Sequence, residues 1–219
     1  MFKYDEVTVE TAADKLRQIL LDLKDPEQNI DAAIEAISSI CCKETNAHMQ
    51  RVAEYSRLLA KLYGASEIEA EMVKKASPLH DIGKIGIPEE ILTKADNLTP
   101  IEREIMNSHA ILGYEMLKNS PMKVLQTASL IALDHHECWD GSGYPQGKKQ
   151  EEIHLYGRIT SLSDVFDALS SNRYYKEAWK DDAICDYIKE HRASRFDPTL
   201  VDLFLENYDQ FVAIRNKIN

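Results

Sequence analysis

Histidine and aspartate recur along this chain at inward positions of segments whose apolar residues follow helical spacing. His48 comes first, then His80-Asp81, His109, His135-His136 and finally Asp164, and five of the seven histidines belong to this series. A buried imidazole or carboxylate costs free energy unless it is paired or bound to a metal. Seven such groups turned toward one interior therefore restrict the chain to folds that gather them around a shared cation site. Imidazole together with carboxylate suits first-row transition metals such as iron, manganese or zinc.

The segments carrying these residues read as helices. Residues 8–24 form an amphipathic stretch with Ala12, Leu16, Ile19, Leu20 and Leu23 on one face, closed by Asp25-Pro26. The next stripe runs Ile30, Ala33, Ile34, Ile37 and Cys41, and its spacing lands on Glu44 and His48, one helical turn apart. Val52, Tyr55, Leu59 and Leu62 carry it on to Gly64. A helix over about 66–79 leads to His80-Asp81, after which Gly83, Gly86 and Pro88 stop regular structure. Thr99-Pro100-Ile101-Glu102 is a capping box with proline at the first helical position. The helix it opens is expected to place Ile101, Ile105, His109, Leu112 and Met116 on one face. From Pro121 a further helix aligns Val124, Ala128, Ile131 and His135. Asp140-Gly141-Ser142-Gly143-Tyr144-Pro145 is rich in turn residues and predicts an irregular loop. A helix over about 156–171 carries Ile159, Leu162, Phe166 and Leu169, with Asp164 near its inward edge, and a last helical pair spans about 179–190 and 197 to the end. Strand-like alternation is absent, so the expected fold class is all-α.

With 219 residues the chain can bury one sizeable core. The expected division is a short helical extension over 1–35 and a single domain over 36–219. A formal net charge of −11 argues against a groove that tracks long nucleic acid. It does not exclude a small anionic substrate, because bound divalent cations reverse the local field. The four cysteines, Cys41, Cys42, Cys138 and Cys185, form no C-x-x-C pair and read as reduced thiols. The N-terminus lacks an apolar signal-peptide region, and no stretch approaches ~18 uninterrupted apolar residues. The expectation is a cytoplasmic chain with no membrane partner.

Several motifs together resemble the HD-GYP family, a branch of the HD-domain metal-dependent phosphohydrolases. They are Glu44-Thr45-Asn46-Ala47-His48, the run from His80-Asp81 through Lys84 to Pro88, His109, and the run from His135-His136 through Asp140 to Tyr144-Pro145. Asp164-Val165-Phe166-Asp167-Ala168-Leu169, Arg173, Lys176 and Phe196-Asp197-Pro198 complete the set. The likeness covers roughly residues 36–206, and these motifs in this order are highly specific. It implies an HD-domain helical bundle that hydrolyses a cyclic dinucleotide, chiefly cyclic di-GMP to linear pGpG and then GMP, at two or three iron or manganese ions. It also implies the ligands His48, His80, Asp81, His109, His135, His136 and Asp164, with Asp81 bridging two ions and Glu44 binding an additional one. Lys84, Tyr144, Arg173 and Lys176 match the family's substrate contacts. A GGDEF-type protein meeting the GYP loop, and a homodimer, are the protein partners to expect. The chain departs from the family pattern at Cys41-Cys42-Lys43, Cys138, His154 and Tyr174, none of which removes a ligand.

The chemistry of these residues suits that reaction. A phosphodiester is anionic and resists hydroxide unless its charge is neutralised, which paired metal ions do while generating the nucleophile. Lys84 would stabilise charge on the phosphoryl group and protonate the leaving 3′-oxygen, making it, with Asp81, the expected catalytic pair. Arg173 offers a planar fork for phosphate and Lys176 a point charge. Tyr144 either stacks on a guanine or packs the loop. Asp140 and Asp167 are candidates to orient ligating imidazoles, although Asp140 suits a turn equally well. Three alternatives remain: hydrolysis of 3′,3′-cyclic GMP-AMP, a weakly catalytic interaction module acting through the GYP loop, and a mononucleotide phosphohydrolase of the broader HD class.

Overall fold

The computed structural model describes residues 46–172 and 177–218. Glu44, Arg173, Lys176 and the expected extension over 1–35 lie outside the described residues. Ten α-helices follow one another among those described: α1 (Asn46–Tyr63), α2 (Glu67–Ala76), α3 (Glu89–Leu92), α4 (Pro100–Asn107), α5 (His109–Leu117), α6 (Lys123–Asp134), α7 (Leu155–Ser170), α8 (Asp181–Glu190), α9 (Pro198–Glu206) and α10 (Tyr208–Lys217). The described residues contain no strand, only an isolated bridge between Arg192 and Phe196. The all-α expectation holds. No described helix is long and apolar enough to cross a membrane.

Local signals place the helix ends. α1 stops where Gly64 takes φ +104, a left-handed conformation that costs glycine little. The Gly64 and Ala65 N–H groups then bond back to the carbonyls of Lys61 and Ala60, which closes the helix in a Schellman motif. Ser66 opens α2 one residue later through a capping box with Glu69. The predicted helix over about 66–79 is α-helical only to Ala76; Ser77–Leu79 tighten into a 3-10 turn that contains Pro78. That turn delivers His80-Asp81, and a second 3-10 turn (Ile82–Gly86) carries the chain away.

Two apolar clusters form the core. In the first, Tyr55 of α1 meets Phe166 of α7 edge-on at 4.9 Å, and Phe166 meets Phe204 of α9 at 5.1 Å. Leu59, Val73, Ile188 and Phe211 extend it. The second joins Leu79, Ile82, Leu117, Leu125, Ala128 and Ile131 around α5, α6 and the 3-10 turns. Elements of the first cluster supply His48 and Asp164. Those of the second supply His80, Asp81, His109 and His135.

Two expectations need correction. The helix opened by Thr99 was expected to run past His109 with Ile101 on the buried face, yet it breaks at Ser108 and Ile101 is 59% exposed. The reason is local: the Ser108 N–H bonds to the Ile105 carbonyl at 3.2 Å and to the Met106 carbonyl instead of reaching four residues back, and its hydroxyl donates to the Ile105 oxygen. A serine hydroxyl competing for a main-chain carbonyl disrupts regular helix. The break rotates α5 relative to α4, so His109 and Leu112 turn inward while Ile101 does not. The C-terminal segment likewise splits at Asn207, whose side-chain amide donates to the Leu203 carbonyl at 2.9 Å.

Candidate metal centre

His80, His109 and His135 are held the same way, each at the end of a helical turn. The ring Nδ1 of His80 lies 2.9 Å from the Ser77 carbonyl, that of His109 2.8 Å from the Met106 carbonyl, and that of His135 3.0 Å from the Ala132 carbonyl. A carbonyl carries no proton, so each Nδ1 must be the N–H donor. Each ring therefore presents its Nε2 lone pair to the interior. This is the outer bonding that fixes metal-ligating histidines.

The lone pairs converge on Asp81. Its Oδ1 lies 3.2 Å from His109 Nε2 and 3.7 Å from His135 Nε2, while its Oδ2 lies 3.4 Å from His80 Nε2. His109 and His135 face each other Nε2 to Nε2 at 3.5 Å, an arrangement of two acceptors. Asp164 Oδ1 is 3.7 Å from His48 Nε2 and 3.9 Å from His80 Nε2. The side chains thus fall into two adjoining groups able to hold a metal ion: Asp81, His109, His135 and His136, and His48, His80 and Asp164. Asp81 faces both through its two oxygens.

The donor set fits a cation. Burial, then neighbouring imidazoles, pushes His135 and His136 below the ordinary imidazole range, which keeps both rings neutral. Lys84 Nζ meets Asp81 Oδ2 at 2.5 Å. Imidazole nitrogens and carboxylates of this kind could hold a metal ion, and they lack the thiolates typical of a structural zinc site. Cys138, half-buried, belongs to neither group.

The supporting shell is partly as expected. Asp167 takes the orienting role: its Oδ2 accepts the His48 Nδ1–H at 2.7 Å. Asp140 takes the other, forming a turn by accepting the Ser142 N–H at 2.8 Å. Tyr144 stacks on His136 with ring centroids 4.7 Å apart, and its N–H bonds the His136 carbonyl. The ring thereby packs the loop against a candidate ligand.

Sequence reasoning missed two residues. Arg51, 7% exposed, clamps Asp167 from behind with Nε to Oδ1 at 2.6 Å and Nη2 to Oδ2 at 3.1 Å. A signal existed, since His48/Arg51 and Asp164/Asp167 repeat an i,i+3 spacing on two facing helices. Glu137, 3% exposed, accepts the main-chain N–H groups of Gln146 and Lys148 at 2.7 and 3.1 Å and so pins the loop after His136. Those partners are main-chain groups nine and eleven residues away, which side-chain patterns do not reveal.

Comparison with known proteins agrees with this arrangement. The HD domain family model matches residues 33–200, and the chain belongs to the HD domain family. Within it the chain is a member of the HD-GYP branch. It is 45% identical over 201 residues, 90% of its length, to a 3′3′-cGAMP-specific phosphodiesterase of Vibrio cholerae. It is 45% identical over 170 residues, 78% of its length, to a cyclic di-GMP phosphodiesterase response regulator of Xanthomonas campestris. The chain spans 38% and 45% of the lengths of these two relatives. Among solved structures, an HD-GYP-type protein of Bdellovibrio bacteriovorus superposes with a TM-score of 0.61 over 93% of this chain and 71% of its own, at 13% identity, a likeness of fold.

Proposed function

We propose that this chain is a metal-dependent phosphodiesterase that hydrolyses cyclic di-GMP through linear pGpG to GMP. The observation that carries the reading is Asp81, whose two carboxylate oxygens face two adjoining sets of imidazole and carboxylate donors. His109, His135 and His136 would hold one ion, His48, His80 and Asp164 another, and Asp81 both, with iron or manganese the metals such donors favour. Two ions so held would supply a nucleophile at neutral pH and neutralise the phosphate oxygens. Lys84, whose ammonium meets Asp81, would stabilise charge on the phosphoryl group and protonate the leaving 3′-oxygen. A second reading, hydrolysis of 3′,3′-cyclic GMP-AMP, is favoured by the match to the Vibrio cholerae relative across 90% of the chain. Turnover of both cyclic dinucleotides and a panel of mononucleotides by metal-reconstituted protein tests the reading and separates the two substrates. Hydrolysis of mononucleotides alone would overturn it.

Two predictions concern residues outside the described part. Arg173→Ala and Lys176→Ala should leave metal content unchanged and raise KM, as expected of groups that contact only the substrate phosphates. Loss of metal by Arg173→Ala, or unchanged kinetics in both variants, would show that the roles are misassigned. Glu44→Ala should bind about one metal ion fewer, since one carboxylate ligand is gone, and should accumulate the linear dinucleotide. Equal stoichiometry in wild type and variant, measured side by side, would refute a third ion at Glu44.

A further inference from the structure

The Arg51 guanidinium ties together four parts of the chain. It projects from α1, one turn after His48, and grips both oxygens of Asp167 on α7. Its Nη2 also donates to Ser171 Oγ at 3.0 Å, just beyond the end of α7. Its Nη1 donates to the Ile218 carbonyl at 3.0 Å, just beyond the end of α10. Asp167 in turn accepts the His48 Nδ1–H. The carboxylate is 1% exposed, so nearly all its interaction is with these two partners rather than water. A planar fork held at three nitrogens has one orientation, and it transmits that orientation to whatever Asp167 holds.

We propose that Arg51 is a positioning residue for the reaction. Through Asp167 it fixes the tautomer and angle of the His48 ring, and through Ser171 it ties down the chain just beyond the end of α7. One side chain thereby couples the candidate metal centre to the end of α7. This rests on the proposed function, in which His48 is a metal ligand. A surface ion pair would do none of this, because water and salt would screen it and its geometry would not be fixed. Lysine in the same place keeps the charge but reaches only one acceptor at a time and has no fork.

The test uses the full chain as wild type, Arg51→Lys and Ser171→Ala, with thermal unfolding as the check that each variant is folded. Manganese binding to metal-free protein is measured by calorimetry. The Arg51→Lys variant is expected to bind about 10–100-fold more weakly, the usual loss when the partner behind a ligating histidine is disturbed. Ser171→Ala should bind manganese as the wild type does, because its hydroxyl lies outside the path from Arg51 through Asp167 to His48. Nitrogen NMR of the histidine rings in metal-free protein provides a readout independent of metal and of activity. His48 should be the Nδ1–H tautomer in wild type and a mixture in Arg51→Lys. Wild-type manganese affinity together with an unchanged His48 tautomer in Arg51→Lys would overturn the proposal. Failure of the wild type itself to bind manganese would count against the proposed function instead, and the ring NMR would still decide the role of Arg51. If Arg51→Lys does not fold, Asp167→Asn takes its place in the same measurements, with the same expected direction and the same overturning result.

Discussion

Asp81→Ala is expected to abolish cyclic-dinucleotide turnover and to strip most of the bound metal. Among the described residues its carboxylate is the group that faces both ligand sets, with Oδ1 toward His109 and His135 and Oδ2 toward His80. Removing it costs both sets a donor and leaves Lys84 without the carboxylate it meets at 2.5 Å. Asp164 offers a contrast, because it lies in one set only. Asp164→Ala should therefore retain more metal than Asp81→Ala. Elemental analysis of the two variants beside the wild type checks the order, and a metal-replete Asp81→Ala protein would contradict a shared carboxylate.

The second large effect is on stability. Gly83 lies two residues past Asp81 in the 3-10 turn that packs on α5, and a Cβ added there would stand 1.9 Å from the His109 carbonyl oxygen and 2.5 Å from the Gly113 nitrogen. Both obstacles are main chain and cannot swing aside. Gly83→Ala must therefore push the turn and α5 apart, which separates Asp81 from His109. Overpacking of this kind costs about 3 kcal/mol or more, and for a chain this size that lowers Tm by about 6–12 °C. Gly113→Ala, whose Cβ would meet Ala132 Cβ at 2.9 Å, Ile82 Cγ2 at 3.1 Å and the Gly83 nitrogen at 3.3 Å, should be milder, because all three contacts are longer than the 1.9 Å clash at Gly83. Thermal unfolding of the two variants gives the comparison. A Gly83→Ala protein as stable as wild type would mean that the turn and α5 are not in this close contact.

Much of the site was legible in the sequence because its ligands obey helical periodicity. His48 and His135 fall on the same stripes as Val52, Tyr55, Val124 and Ile131, all of which are buried. His80-Asp81 was legible for a different reason: Pro78, Gly83 and Gly86 mark irregular backbone on either side of it. Periodicity failed where a local bond overrode it. The Ser108 hydroxyl diverts the Ile105 carbonyl, and a single expected helix becomes α4 and α5 with Ile101 in solvent. The supporting groups were harder to see. Arg51 looks like a surface residue by type, since arginine is seldom buried without a partner, and its partner lies 116 residues away. Glu137 sits beside two candidate ligands, yet it bonds main-chain groups of the loop instead. Asp140 had two readings in sequence, and only the neighbour it meets in the fold chooses between them.

The central claim is that the buried histidines and aspartates form a centre for more than one metal ion. Metal stoichiometry tests it most directly, on protein purified without chelators and reconstituted with iron(II) or manganese(II). The two ligand sets sharing Asp81 predict at least two equivalents per chain, and three if Glu44 contributes. Less than one equivalent of total metal after reconstitution would contradict the account.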